Sequence, residues 1–119
     1  MDLINKLLLI GNIQDGDIIL DYFSGSATTA NAVLNLNSKD NIKRKYIMVQ
    51  IQESIDENSD IYKEGYKDIS EIGKERIRRA GDKIVQENRN NPNIKNLDIG
   101  FKVFKVDNSN IKWEKQINE

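Results

Sequence analysis

The chain has 119 residues, 38% of them hydrophobic and 31% charged, which suffices for one modest core and a single domain. Its 18 Lys and Arg against 19 Asp and Glu leave a net charge of -1, so no broad positive field marks a duplex-binding face. With no Cys and no His there are no disulfides, thiolate nucleophiles, imidazole bases or usual zinc sites, and serine-triad hydrolysis and zinc deamination fall away.

No apolar run approaches membrane-spanning length and no charged-apolar-small signal opens the chain, so the expectation is a soluble, cytoplasmic protein with no membrane partner. In chain order, Leu3, Ile4, Leu7, Leu8 and Ile10 fall at helical spacing before a Gly11-Asn12 stop, predicting a short apolar helix. After the Asp15-Gly16 turn signal, Ile18-Ile19-Leu20 runs apolar without alternation, the pattern of a central parallel strand covered on both faces. A second helix is expected from Ala27–Thr29 to about Leu36, ended by the polar stretch "NSKDNIKRK". A second buried strand, "KYIMVQI", follows at residues 45–51. Strand, helix and strand in this order predict a βαβ unit with a right-handed crossover, hence an α/β fold with a mostly parallel sheet.

Residues 52–64 read as an exposed loop, whose acids in "ESIDENSD" lack the ordered spacing and glycine of a calcium loop, so no metal site is expected. Ile69, Ile72, Ile77, Ala80 and Ile84 then mark the longest, amphipathic helix, over residues 66–87. On it, Lys74, Arg76, Arg78, Arg79 and Lys83 are interrupted by Glu75 and Asp82 and wrap around the axis, a pattern of a solvated face more than of a nucleic-acid contact. "NRNNPN" breaks the helix, and "DIGFKVFKVD", residues 98–107, predicts a last strand. Tyr66, Phe101, Phe104 and Trp113 are expected to pack and not to stack on bases, with Trp113 the one anchor of a polar tail at 113–119.

The stretch with chemistry in it is "GDIILDYFSGSATTANAV", residues 16–33, where a strand ends in an acid and a short glycine-and-hydroxyl turn leads into a helix. Such a turn delivers backbone N–H groups and the positive end of a helix to one spot, so an anionic or polar ligand is expected there. A plain strand-to-helix turn with Ser or Thr as N-cap is the alternative. Only Gly25 lies in the turn, so the pyrophosphate fingerprint is unmet, and the phosphate loop G-x-x-x-x-G-K-[ST] is missing, which disfavours dinucleotides and nucleoside triphosphates.

The string "DYFSGSATT" closely resembles D-x-F-x-G-S-G-T-T, motif I of amino-group DNA methyltransferases, which binds S-adenosylmethionine. "TTANAVLNLNSKDNIKRKYIMVQIQE", "YKDISEIGKERIRRAGDKI" and "LDIGFKVFKVDNSNIK" extend the resemblance, in order, to the C-terminal portion of the methylation subunit of type III restriction-modification systems, which methylate adenine. The resemblance implies a partial Rossmann-like methyltransferase domain over residues 1–112. Asp21, Phe23 and Gly25 fall on the motif's acid, aromatic and first glycine, with Asp21 facing the cofactor's amino-acid part and the turn around Ser24 and Gly25 facing its carboxylate. Thr28 and Thr29 fall on the paired hydroxyls, and Ala27 stands at the second glycine, where close backbone approach or a positive φ is at issue. Gln50, at the end of the second strand, and Glu53 are the candidates for the ribose hydroxyls, against the alternative of a solvated strand end.

Amino-group methylation also uses a motif [DNS]-P-P-[YFW], whose polar groups grip the target amine while its ring stacks on the flipped base. This chain has one proline, Pro92, so it cannot contain that motif. In the β-type motif order of the family it lies upstream of motif I, beyond a target-recognition segment. The implied function is therefore the cofactor-binding C-terminal piece of a DNA methyltransferase, inactive alone and with no catalytic residue of its own. Its implied partners are an N-terminal methyltransferase portion, DNA and a restriction subunit. The competing reading is a non-catalytic module or remnant that docks on a separate polypeptide or forms a homodimer.

Overall fold

The computed structural model describes residues 2–107; Trp113 and the expected tail at 113–119 lie outside the described residues. Helix α1 (Asp2–Ile10) ends where the Gly11 N–H donates to the Leu7 carbonyl at 2.9 Å and Asn12 turns left-handed with φ 47°. Strands β1 (Ile18–Asp21) and β2 (Lys45–Met48) pair in parallel, from Ile18 opposite Lys45 to Asp21 opposite Met48. Helix α2 (Thr28–Asp40) connects them, so the expected βαβ unit is present. Helices α3 (Asp60–Lys63) and α4 (Ile69–Glu87) and a 3-10 turn at Pro92–Asn96 complete the described elements.

Helix α2 is the centre of the packing. Its Ala30 and Leu34 meet Ile77, Ala80 and Ile84 of α4, with Tyr46, Met48, Leu97 and Phe101 at the margin. Its Ala32 and Val33 face Leu8 of α1, beside Ile4, Ile13 and Ile19. The small residues Ala27, Ala30 and Ala32 let neighbouring backbones come close, which is how a helix of low overall hydropathy still fills a core.

Several expectations need correction. Helix α2 runs four residues past Leu36, because Asn41 takes the left-handed cap with its N–H on the Asn37 carbonyl, and Arg44 reaches back to Asn37 and Asp40. The stretch 52–64 holds the short α3, started by Ser59, whose hydroxyl accepts from the Tyr62 N–H. Residues 98–107 form no strand: among the described residues no neighbouring strand offers a ladder, and the apolar side chains of Val103, Phe104 and Val106 are exposed. Phe104 is thus no packing residue, while Phe101 does pack, with the Arg78 guanidinium 5.7 Å from its ring centre.

The sheet corrects the strongest expectation about β1. One face, with Ile19, Tyr46 and Met48, lies on the helices; the other leaves Ile18 58%, Leu20 48% and Ile47 50% exposed. Parallel strands with continuous apolar sequence are the kind normally covered on both faces. Here only one cover is present among the described residues.

Helix α4 is launched by Asp68, whose carboxylate accepts from the Glu71 N–H and the Ser70 hydroxyl, both at 2.9 Å. These bonds, the Glu71 N–H foremost, hold the Asp68 carboxyl below its ordinary value of 3.8. A depressed carboxyl stabilises the fold above its unfolded value, and that contribution is lost as pH falls through the folded one. Asp68→Ala should therefore cost about 1 kcal/mol at neutral pH, since the cap is lost. Asp68→Asn should keep neutral stability yet lose less of it than the parent as pH is lowered below about 4. Thermal melts across pH, followed by circular dichroism, check both; a steeper acid loss in Asp68→Asn than in the parent would refute the assignment.

Candidate functional site

The turn between β1 and α2 is built by a small set of hydrogen bonds. Asp21 ends β1, and its carboxylate accepts from the Phe23 N–H at 2.9 Å and from the Thr29 hydroxyl at 2.7 Å, tying the strand end to the first turn of α2. The Ser24 N–H donates to the Val49 carbonyl at 3.1 Å, and the Ala27 N–H closes on the Ser24 carbonyl at 2.7 Å. The Gly25 N–H donates to Gln50 Oε1 at 2.8 Å, while Gln50 Nε2 is held by the Ile51 carbonyl at 2.9 Å. The path needs two left-handed residues, Gly25 at φ 50° and Ala27 at φ 62°.

Ala27 is the residue before α2 and carries no capping oxygen, so the alternative of a Ser or Thr N-cap is not what the sequence forms. The N–H groups of Phe23, Ser24, Gly25 and Ala27 are consumed within the turn. Among the described residues no acceptor meets the N–H groups of Ser26, Thr28, Thr29 and Ala30, the donors that an uncapped helix start leaves open. The site therefore presents its positive end through α2 and not through the glycine itself.

The structure brings Asp21, Ser24, Gly25, Ala27, Thr28, Thr29 and Gln50 into one neighbourhood. Phe23 stands beside them, 83% exposed. Gln50 faces the turn rather than open solvent, and its amide oxygen is engaged by Gly25 and, at 3.4 Å, by the Ser24 hydroxyl. Glu53 lies apart on the exposed segment after β2, where its carbonyl accepts from the Ile69 N–H and its side chain has no partner among the described residues. A surface groove does exist between α2 and α4, lined by Asn31, Asn35, Lys39, Arg79 and Lys83 among others, and it reaches the turn at its edge, through Arg76 and through the Asn31 N–H on the Ala27 carbonyl.

Two residues of α4 belong to the site and were not expected there. A Cβ on Gly73 would stand 3.3 Å from the Gly25 carbonyl oxygen and 3.5 Å from the Ala27 methyl, so α4 meets the turn backbone to backbone. One turn of helix later, Arg76 Nη1 donates to the Ser26 hydroxyl at 3.0 Å and the Thr28 hydroxyl at 3.1 Å. The sequence signal was the glycine inside an amphipathic helix, followed at i+3 by a basic residue, and only the fold shows what they face.

Comparison with known proteins gives the family. A family model described as DNA methylase matches residues 1–63. The chain is 40% identical over 103 residues to the Mod subunit of the type III restriction-modification enzyme StyLTI of Salmonella typhimurium, covering 87% of this chain and 15% of the relative. It is 38% identical over 116 residues to the Mod subunit of the type III enzyme EcoPI of Escherichia phage P1, covering 97% of this chain and 17% of the relative. The type II methyltransferase M.KpnI of Klebsiella pneumoniae is 40% identical over 65 residues, 55% of this chain and 16% of the relative. The chain thus spans less than a fifth of the length of these relatives.

The left-handed Ala27 gives a prediction. A non-glycine residue there costs about 1–2 kcal/mol, but the Ala27 methyl is buried, 2% exposed, and a buried carbon is worth about 0.8 kcal/mol. Glycine also adds freedom to the unfolded chain, about 0.4–1 kcal/mol. Ala27→Gly should therefore leave stability within about 1 kcal/mol of the parent. Ala27→Val, β-branched and pressed on Gly73, should lose more than about 2 kcal/mol. Urea unfolding of the two variants measures the difference; equal stability of both would contradict the left-handed geometry.

Proposed function

The chain belongs to the DNA methylase family, and we propose that it is the S-adenosylmethionine-binding, C-terminal portion of a site-specific DNA adenine methyltransferase, the methylation subunit of a restriction-modification system. The observation that carries this reading is the turn at the C-terminal end of β1, where an uncapped helix start, an ordered carboxylate and an exposed aromatic ring stand together. In open α/β sheets, ligands bind outside the carboxyl ends of the strands.

The donor set suits this cofactor. Its carboxylate requires N–H donors and a positive helix end, which Ser26, Thr28 and Thr29 offer. Its ammonium requires an acid, for which Asp21 is the nearest candidate. In this reading Phe23 walls the site, Ser24, Gly25 and Ala27 set the path of the backbone, and Gln50, which orders the turn, is the first candidate for the ribose hydroxyls, with Glu53, further from the turn, the second. When bound, S-adenosylmethionine supplies a sulfonium-borne methyl group for the exocyclic amine of a flipped adenine. The chain's own residues bind and orient, and the catalytic [DNS]-P-P-[YFW] motif is not among its 119 residues.

Residues 1–112 would then be part of a larger Rossmann-like domain, whose remaining layer covers Ile18, Leu20 and Ile47. DNA would be met mainly through that remaining portion, and a restriction subunit would be a further partner. The open sheet face also favours a second reading, a non-catalytic module that docks on a separate polypeptide or dimerises through that face. Among the described residues no helix is long and apolar enough to cross a membrane.

Calorimetric titration with S-adenosylmethionine separates the readings. Saturable one-to-one binding, lost in Asp21→Ala with the circular dichroism spectrum retained, is the expected outcome. Absence of binding by the parent would leave the docking module as the better account. The parent chain mixed with DNA and radiolabelled cofactor should incorporate no methyl groups; incorporation would contradict the assignment of the chemistry to a motif outside these residues.

A further inference from the structure

We infer that Arg76 is a positioning residue for the cofactor turn, a clamp from α4 that holds the entrance of α2 in its left-handed, open form; the role in binding rests on the reading of this turn as the S-adenosylmethionine site. Five basic residues lie on α4 between Lys74 and Lys83. Four of them are paired with acids of the same helix: Lys74 with Glu71, Arg78 and Arg79 with Glu75, and Lys83 with Glu87. Arg76 has no carboxylate partner among the described residues. Instead a single guanidinium nitrogen bridges two hydroxyls 48 and 50 positions away in sequence, Thr28 and Ser26.

These two hydroxyls flank Ala27, the one residue of the turn that pays a conformational penalty without being glycine. Ser26 and Thr28 are also within 3.4 Å of each other, so Arg76 closes a three-membered polar ring around the strained position. The bonds fix the side chains of Ser26 and Thr28 and do not consume the N–H groups of Ser26, Thr28 and Thr29. Placing a cation at the positive end of α2 opposes the helix dipole, a cost that an anionic group at the same spot offsets. Gly73 makes the arrangement reachable, because without a Cβ α4 lies against the turn and Arg76 begins one helical turn further on.

The test compares Arg76→Met, which keeps bulk and removes donors and charge, with Arg76→Lys, which keeps charge and donors. In the free chain, hydrogen exchange of the Ala27 and Asn31 amides, whose bonds to Ser24 and Ala27 close the turn, should speed up about tenfold in Arg76→Met, with the amides of Ile77 to Ile84 unchanged. Affinity for S-adenosylmethionine should fall about tenfold in the same variant. Arg76→Lys should restore most of both. A packing role predicts the opposite order, Met retaining what Lys loses.

Unchanged exchange in Arg76→Met overturns the clamp, and changed exchange with affinity within twofold overturns its role in binding. If the parent does not bind the cofactor, the reading of the turn fails, while the exchange measurement still decides the clamp. Combining Arg76→Met with Ser26→Ala and Thr28→Val should add nothing further to the exchange rate.

Discussion

The contact on which the other features depend is the meeting of α4 with the turn at Gly73. A helix approaches another backbone this closely only where a side chain is absent, and here the Gly25 carbonyl and the Ala27 methyl occupy the space. From that point the geometry of α4 follows. Ile77, Ala80 and Ile84 are spaced to cover Ala27, Ala30 and Leu34, and Arg76 comes over the hydroxyls that open α2. The turn is thus held from three sides: by Asp21 and Thr29 from below, by Gln50 from β2, and by Arg76 from α4. A loop of this kind, held by scaffold elements on every side but one, keeps its open donors where a ligand can use them.

The sheet shows the reverse situation. Two parallel strands of four residues are little structure by themselves, and a two-stranded unit gains independent stability from what packs on it. Helices α1, α2 and α4 cover one face. On the other, Ile18, Leu20 and Ile47 stand with Tyr22, Val49 and Ile51, all substantially exposed, and α1 turns Leu3, Leu7 and Ile10 outward as well. Apolar residues exposed in such number, where they adjoin, mark interaction sites.

Much of this was legible in the residues. The βαβ order, the turn between Asp21 and Thr29 and the amphipathic α4 follow from period and punctuation, which are local properties. What escaped was set by groups outside each element. The length of α2 depends on Arg44 reaching back to Asp40, and the failure of residues 98–107 to form a strand depends on the lack of a neighbouring edge, although their composition suits one. The same limit explains the site. Local motif matching finds Asp21, Gly25 and Thr29, and the end of the second strand points to Gln50, but Arg76 touches the turn across 50 positions of sequence, a contact that only the fold shows.

Gln50 and Ala27 together show how one departure from the common motif is absorbed. A second glycine would reach the left-handed conformation without strain, whereas Ala27 reaches it at a cost of about 1–2 kcal/mol. Its methyl is not idle, since it lies in the core beside Ala30 and Ile77 and against Gly73. The Gly25 N–H bond to Gln50 and the Arg76 bonds on either side of Ala27 are each worth about 0.5–1.5 kcal/mol, so together they are of the same size as the strain they surround or larger. The alanine therefore moves part of the turn's ordering from the backbone of one residue to side chains on β2's end and α4. A site ordered in this way depends on the packing of α4, and any loosening of that helix is transmitted to the open donors of α2.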